Sequence, residues 1–167
     1  ILDHEMGTGK NCSAFSAIEN IKNTSNVFKG ALVLTRGPKV LNNLIKELVY
    51  VCTSGQYIPS EYDKRLTENE RSRRLKKLTS DYYTFETFEK FSKELNVLSD
   101  TSIAKRFSNL VIMIDEVHNL RVREEASSYN QIHRLLHTAK NCKILLMSGT
   151  PMKDDPSEIA AILNLVL

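Results

Sequence analysis

The sequence predicts an α/β domain with a mainly parallel sheet, and three features indicate this fold. Short apolar runs alternate with segments of helical spacing, which is typical of βαβ units. The runs at Gly30–Thr35, 109–115 and 143–148 are almost wholly apolar, as strands buried on both faces are. The 167 residues also suffice for one core that buries about two-thirds of the unfolded chain's surface.

Local signals predict four helices around these strands. Residues 12–22 carry Ala, Ile and Phe at helical spacing. Pro38 suits the first turn of a second helix, because its fixed φ is helical and its missing N–H is not needed there. Helical patterns also cover residues 127–140 and 155–167. Helices that alternate with strands in this way pack on the faces of a parallel sheet.

Residues 56–78 interrupt this alternation, and we expect them to form a surface insertion before the strand at 109–115. Within it, residues 64–78 hold seven Lys or Arg against two Glu, and their leucines fit one side of a helix. Basic helices bind nucleic-acid phosphates in some proteins and are simply hydrated in others. Both interpretations stay open for this segment.

Composition and charge exclude several classes of protein. The formal net charge is +3, which permits an anionic partner without requiring one. No apolar run approaches the roughly 20 residues of a membrane span, and the N-terminus lacks the pattern of a signal peptide. We therefore expect an intracellular protein that does not enter membranes. The three cysteines are odd in number and far apart, which predicts no disulfide framework and a reducing interior.

The segment Gly7-Thr8-Gly9-Lys10 resembles a phosphate-binding loop. Successive backbone N–H groups in a glycine-rich turn form a nest for phosphate oxygens, and the following helix adds its positive end. The pattern G-x-x-x-x-G-K-[ST] is broken twice, by His4 and by Asn11. A plain turn with a solvated lysine would explain this segment equally well. Such loops normally follow a full strand, so we expect the chain to be a fragment that begins partway through one.

Two later segments carry polar side chains at the ends of predicted strands. Asp115 and Glu116 follow the most apolar run, and His118 stands two residues further on. Ser148 ends the run at 143–148, and Thr150 stands two residues further on. Open parallel sheets bind ligands at the carboxyl ends of their strands, where carboxylates hold Mg²⁺ or activate water. Taken separately, an acidic turn and an ordinary strand-to-loop turn remain alternatives.

Together, "HEMGTGK", "IDEVHN" and "MSGTP" resemble motifs I, II and III of superfamily 2 helicases and translocases. The tail "SGTPMKDDPSEIAAILNLVL" is similar to Swi/Snf-type ATPases and, more closely, to helicases of large cytoplasmic DNA viruses such as poxviruses. The resemblance implies a three-layer RecA-like P-loop NTPase domain. Residues 1–167 would form its N-terminal helicase ATP-binding lobe, truncated at both ends, with 56–78 as the basic insertion.

The same resemblance implies a role for each matching residue. Lys10 would bind the phosphates of ATP, Asp115 and Asn11 would hold Mg²⁺, and Glu116 would deprotonate the attacking water. The residues expected to couple hydrolysis to motion are His118, Ser148 and Thr150. The nucleotide loop would comprise Met6, Gly7, Thr8, Gly9, Lys10 and Asn11, and nucleic acid, more readily DNA than RNA, would contact Thr35, Arg36 and Gly37.

The implied function is the ATP-binding half of a nucleic-acid-dependent ATPase, expected in viral transcription in the host cytoplasm and virion. A second RecA-like lobe would supply an arginine to the γ-phosphate, so we expect negligible turnover by this lobe alone. Asn11, where the family has Ser or Thr, leaves an alternative open: a non-catalytic nucleotide-binding or scaffold module of a transcription complex. A P-loop kinase fits less well, because it needs neither "DEVH" nor "SGTP".

Overall fold

A computed structural model describes residues 9–58, 67–120, 127–149 and 157–167. Within them lies one four-stranded parallel sheet in the order β2-β1-β3-β4. The predicted α/β class with a parallel sheet is therefore confirmed. The strands are β1 Gly30–Thr35, β2 Tyr83–Thr87, β3 Leu110–Ile114 and β4 Lys143–Leu146.

Seven α-helices lie in the described ranges, and each predicted helix is among them. Two short turns complete the elements: a π-helical turn, Glu47–Cys52, continues α2, and a 3₁₀ turn, Val117–Asn119, follows β3. None of the described helices combines the length and the apolar character needed to cross a bilayer. The helices are α1 Lys10–Thr24, α2 Pro38–Lys46, α3 Glu68–Thr79, α4 Phe88–Asn96, α5 Asp100–Phe107, α6 Ser127–Thr138 and α7 Ser157–Leu163.

The sheet separates two apolar cores, which gives the domain its three layers. Alternate residues of β1 face opposite sides: Val33 packs with α1 and α2, while Leu32 and Leu34 pack with α4, α5 and α6. All six residues of β1 are buried. This is why the run Gly30–Thr35 is apolar throughout and does not alternate with polar residues. The edge strand β2 does alternate, with Tyr83 and Phe85 buried and Thr84 exposed, and the apolar-run criterion does not predict it.

The parallel register brings the carboxyl ends of three strands to one edge. Leu34 pairs with Ile114, and Ile114 pairs with Leu146. Backbone hydrogen bonds extend this register past the strands, from Asp115 N to Leu34 O at 2.9 Å and from Met147 N to Ile114 O at 2.9 Å. The segments that follow β1, β3 and β4 therefore meet, and these segments carry the polar residues singled out in the sequence.

The basic insertion is described in part, since residues 59–66 lie outside the described ranges. Helix α3 begins with a capping box in which Thr67 and Glu70 satisfy each other's backbone N–H groups. Leu75 is buried in the core shared with α1 and α2, and Leu78 packs against that core. Arg73 and other basic side chains of α3 are exposed. The helix is thus anchored by its leucines, and whether its basic face binds nucleic acid stays a prediction.

The prediction that the cysteines form no disulfide is wrong, because Cys12 and Cys52 are disulfide-bonded. Cys12 lies in the first turn of α1 and Cys52 ends the π-helical turn, and these two elements pack side by side. The pairing joins positions 40 residues apart, which spacing along the sequence does not reveal. Cys142 is a free thiol.

Breaking this disulfide should destabilise the fold. A cross-link over 40 residues removes chain entropy from the unfolded state, so Cys12→Ser with Cys52→Ser should lower the free energy of unfolding by about 2–4 kcal/mol. Urea denaturation under oxidising conditions measures this loss, and Cys142→Ser is the matched control. Equal stability of the double variant and the wild type would show that the cross-link contributes nothing.

Candidate active site

The described part of the site begins at Gly9, the N-cap of α1. Its φ of 84° and ψ of 20° lie in the left-handed region, which glycine adopts without strain. A Cβ built at Gly9 would meet nothing within 4 Å, so the requirement is for backbone angle and not for space. The chain then enters α1 at Lys10, whose side chain stands at the positive end of the helix. The other loop residues predicted to bind nucleotide, Met6, Gly7 and Thr8, lie outside the described ranges, as does His4.

Lys10 and Glu116 form an ion pair across 106 residues of sequence, with Nζ 2.9 Å from Oε1. Both side chains are half-buried, at 21% and 33% exposed. Glu116 adopts a left-handed backbone conformation, with φ 49° and ψ 52°. Non-glycine residues adopt this conformation at a cost in free energy, and residues strained in this way occur most often at functional sites. The turn at the end of β3 thus directs the Glu116 carboxylate toward the start of α1.

Asp115 is buried beside this pair and is only 3% exposed. Its Oδ2 accepts a hydrogen bond from Thr35 Oγ1 at 3.4 Å, while Oδ1 has no hydrogen-bond partner within the described residues. Burial and, after it, the charge of Glu116 raise the pKa of Asp115 to about 6, against the opposing effects of Lys10 and Thr35. A buried carboxylate with one open oxygen fits a hard divalent cation, because carboxylate oxygen is a preferred ligand of Mg²⁺.

His118 connects the acidic segment to the segment after β4. Its Nδ1 lies 2.8 Å from Ser148 Oγ and 3.2 Å from Glu116 Oε2. The backbone N–H of Gly149 donates to the same Glu116 oxygen at 3.4 Å. The structure therefore brings Lys10, Glu116, His118 and Ser148 into one network. Thr150 lies outside the described ranges.

Asn11 makes a contact that the sequence does not indicate. Its Nδ2 donates to Glu47 Oε2 at 2.7 Å, while its Oδ1 is buried without a hydrogen-bond partner in the described residues. Within those residues Asn11 is not hydrogen-bonded to Asp115. Glu47 lies on the π-helical turn, outside the short segments that carry the candidate site residues. Such turns are frequent at functional sites, which is the one signal that points to it.

The residues predicted to contact nucleic acid do not share one environment. Thr35 is wholly buried, and its hydroxyl faces Asp115, so the prediction that it contacts a nucleic-acid strand is wrong for its side chain. The reason is that β1 is an inner strand covered on both faces. Arg36 is exposed, and its Nη1 donates to Asn119 Oδ1 at 3.3 Å. Gly37 is the N-cap of α2 in an extended conformation.

A comparison with protein-family models identifies the family. The model described as "Type III restriction enzyme, res subunit" (ResIII) matches residues 1–153 of the chain. The chain belongs to the ResIII family. It is a helicase-family ATPase domain, and the resemblance to superfamily 2 helicases noted in the sequence is confirmed.

The ResIII domain also has relatives in large DNA viruses. "Putative helicase 009L" of Frog virus 3 (isolate Goorha) is 41% identical over 170 residues, and "Putative helicase 087L" of Invertebrate iridescent virus 3 is 41% identical over 179. Both alignments cover 100% of this chain and 18% of the relative. A human SWI/SNF-related regulator of chromatin (subfamily A member 1) is 26% identical over 186 residues, covering 100% of this chain and 15% of its own length. The chain thus spans less than a fifth of these relatives.

The burial of Asp115 should carry a cost in stability. Its charge is nearly inaccessible to water and one oxygen has no partner among the described residues. Asp115→Asn should therefore raise the free energy of unfolding by about 1–2 kcal/mol in the absence of divalent cations. Denaturation in EDTA at neutral pH measures this gain. The exposed Asp81→Asn is the control and should leave stability unchanged. A loss of stability in Asp115→Asn would mean that the carboxylate is well compensated in the folded protein.

Proposed function

We propose that this chain is the ATP-binding lobe of a nucleic-acid-dependent ATPase that hydrolyses ATP with Mg²⁺. The observation that carries the proposal is the meeting of Lys10, Asp115 and Glu116 at one edge of the sheet. A cation, a buried carboxylate with an open oxygen and a second carboxylate next to it form the set that phosphoryl transfer to water requires. Membership of the ResIII family supports the same chemistry.

Each charged group has one role in this proposal. Lys10, at the start of α1, binds the terminal phosphates with its amine. Asp115 holds the metal through its open Oδ1, and bound Mg²⁺ neutralises charge on the phosphates. Glu116 takes a proton from the attacking water. Its carboxylate is oriented by Gly149 N–H and lies close to His118, so it is held before the substrate arrives.

His118 and Ser148 transmit the state of the site to the rest of the domain in this proposal. Their side chains are hydrogen-bonded at 2.8 Å and belong to segments that follow different strands. A shift of either segment must therefore break or reshape the contact with Glu116. Thr150 is proposed for the same role because it belongs to the same "SGTP" motif.

The nucleic-acid partner is proposed to contact Arg36 and Gly37 at the carboxyl end of β1. We favour DNA, since relatives come from DNA viruses and include the SWI/SNF-related regulator of chromatin. A mimivirus relative is named "Putative ATP-dependent RNA helicase R563", so both polymers belong in any test. The proposal has three further parts. A second RecA-like lobe completes the site, the protein acts in viral transcription together with subunits of the transcription complex, and it is located in the host cytoplasm and the virion.

Asn11 supports a second candidate function, a non-catalytic nucleotide-binding or scaffold module. Its amide is held by Glu47 and not by Asp115, whereas a metal ligand would face the acidic segment. Its Oδ1, buried and without a partner in the part of the chain that the structure describes, supports the catalytic candidate, because a carbonyl oxygen is also a hard ligand. Magnesium-dependent turnover by the full-length protein separates the two.

Removing the charge of Glu116 should stop hydrolysis and spare binding. Glu116→Gln should lower the rate of phosphate release from ATP by a factor of about 10²–10⁴, since the general base is lost. Lys10→Ala should instead weaken binding of a fluorescent ATP analogue. Glu89→Gln removes an exposed carboxylate on α4 and is the matched control. Unchanged phosphate release in Glu116→Gln would refute the proposed base.

Replacing Asn11 by threonine tests its place at the metal. Asn11→Thr restores a compact hydroxyl, so the Mg²⁺ concentration for half-maximal ATP turnover should fall and the rate should rise. A titration of full-length protein with Mg²⁺ at saturating ATP gives both values. If neither changes, Asn11 takes no part in metal binding.

A further inference from the structure

Both polar atoms of the Asn119 side-chain amide contact residues that the sequence singles out. It ends the 3₁₀ turn Val117–Asn119 and is half-buried. Its Oδ1 accepts from Arg36 Nη1 at 3.3 Å, and its Nδ2 donates to Glu116 O at 3.1 Å. The same Nδ2 lies 3.2 Å from Nε2 of His118. One side chain therefore touches the exposed arginine, the proposed base and the histidine.

The orientation of this amide is fixed by its partners. The guanidinium of Arg36 can only donate, so it requires the amide oxygen. The backbone oxygen of Glu116 can only accept, so it requires the amide nitrogen. Both requirements place the NH₂ group of Asn119 toward His118.

An NH₂ group that faces Nε2 of His118 fixes the tautomer of the ring. Nε2 must present its lone pair to the amide, so the ring proton of the neutral imidazole stands on Nδ1. That nitrogen lies 2.8 Å from Ser148 Oγ and 3.2 Å from Glu116 Oε2. The proton is therefore available to the groups that line the site. Asn119 thereby holds His118 in the tautomer that donates toward the Glu116 carboxylate, which itself can only accept.

Arg36 makes this arrangement sensitive to an anion at the surface. Its side chain is exposed, and its bond to Asn119 is one between a cation and a neutral amide. A phosphate oxygen carries negative charge, so its bond to the guanidinium joins two ions and can be bidentate, which a neutral amide oxygen cannot match. A phosphate that reaches Arg36 therefore competes with Asn119 for the guanidinium. When Arg36 leaves, the amide loses one of the two partners that fix its orientation, and the restraint on His118 is weakened.

We propose that Asn119 is a positioning residue that sets the tautomer of His118 and connects it to Arg36, so that a nucleic-acid phosphate at Arg36 alters the hydrolytic site. This inference rests on the proposed ATPase function. Asn119 itself touches neither nucleotide nor nucleic acid in this scheme. Its effect passes through the two side chains that it orients.

Two variants of the full-length protein test the proposal. Asn119→Ala removes the amide, and Asn119→Asp keeps its shape but offers only acceptor oxygens. The ratio of ATP turnover with single-stranded DNA or RNA to turnover without it should fall at least about fivefold in both variants. Affinity for a fluorescent oligonucleotide should stay within about twofold in Asn119→Ala. Lys39→Ala removes a neighbouring exposed cation on α2 and should keep the wild-type ratio.

The second measurement is spectroscopic and needs no turnover. In protein with ¹⁵N-labelled histidine, His118 should show a protonated Nδ1 and an unprotonated Nε2, and Asn119→Asp should place a proton on Nε2, because a carboxylate cannot donate. An unchanged His118 spectrum in Asn119→Asp overturns the proposal, as does a wild-type stimulation ratio in either variant. Loss of stimulation explained wholly by weaker oligonucleotide binding in Asn119→Ala overturns it too. A wild-type protein that hydrolyses no ATP refutes the proposed function, while the spectrum still decides the role of Asn119.

Discussion

The backbone hydrogen bond from Asp115 N to Leu34 O extends the pairing of the two inner strands one residue beyond β3, and the geometry of the site depends on it. It places Asp115 next to Thr35, the last residue of β1, whose hydroxyl reaches the buried carboxylate. The following residue then turns into the left-handed region and aims its carboxylate at Lys10. A one-residue slip in this register would reverse which side chains face each core and would separate these groups.

Two contacts hold the start of α1 in place. A disulfide joins Cys12 to the π-helical turn, and Asn11 donates to Glu47 on the same turn. These two contacts lie immediately after Lys10, so they restrain the residue on which phosphate binding would depend. The glycine at the N-cap provides the opposite property, a backbone angle that no side chain opposes. A glycine at the N-cap followed by an anchored helix suits a site that must accept a ligand and keep its lysine in place.

Much of the fold was predictable because its inner strands are buried on both faces and are therefore almost continuously apolar, as β1 is over its whole length. The edge strand β2 lacks this signature, since Thr84 faces solvent, and the following helices carry no motif. At the site, the sequence named the groups that meet, but it could not predict the Cys12–Cys52 pairing or the contact of Asn11 with Glu47. Both depend on how α1 packs against the π-helical turn, which no local pattern encodes. The resemblance to helicases also implied a nucleic-acid contact for Thr35, whereas its position on an inner strand dictates burial.

Thr35 and Arg36 are neighbours at the end of β1, and each contacts a different residue of the segment that follows β3. Thr35 ends β1 and is buried, whereas Arg36 lies just beyond the strand and is exposed. The buried residue bonds to Asp115, and the exposed one bonds to Asn119. The segment after β3 therefore receives two contacts from neighbouring residues at the end of β1, one on the candidate metal ligand and one on the side chain that orients His118. Any force that displaces the backbone at Arg36 must act on both contacts together, since a single peptide bond separates the two residues.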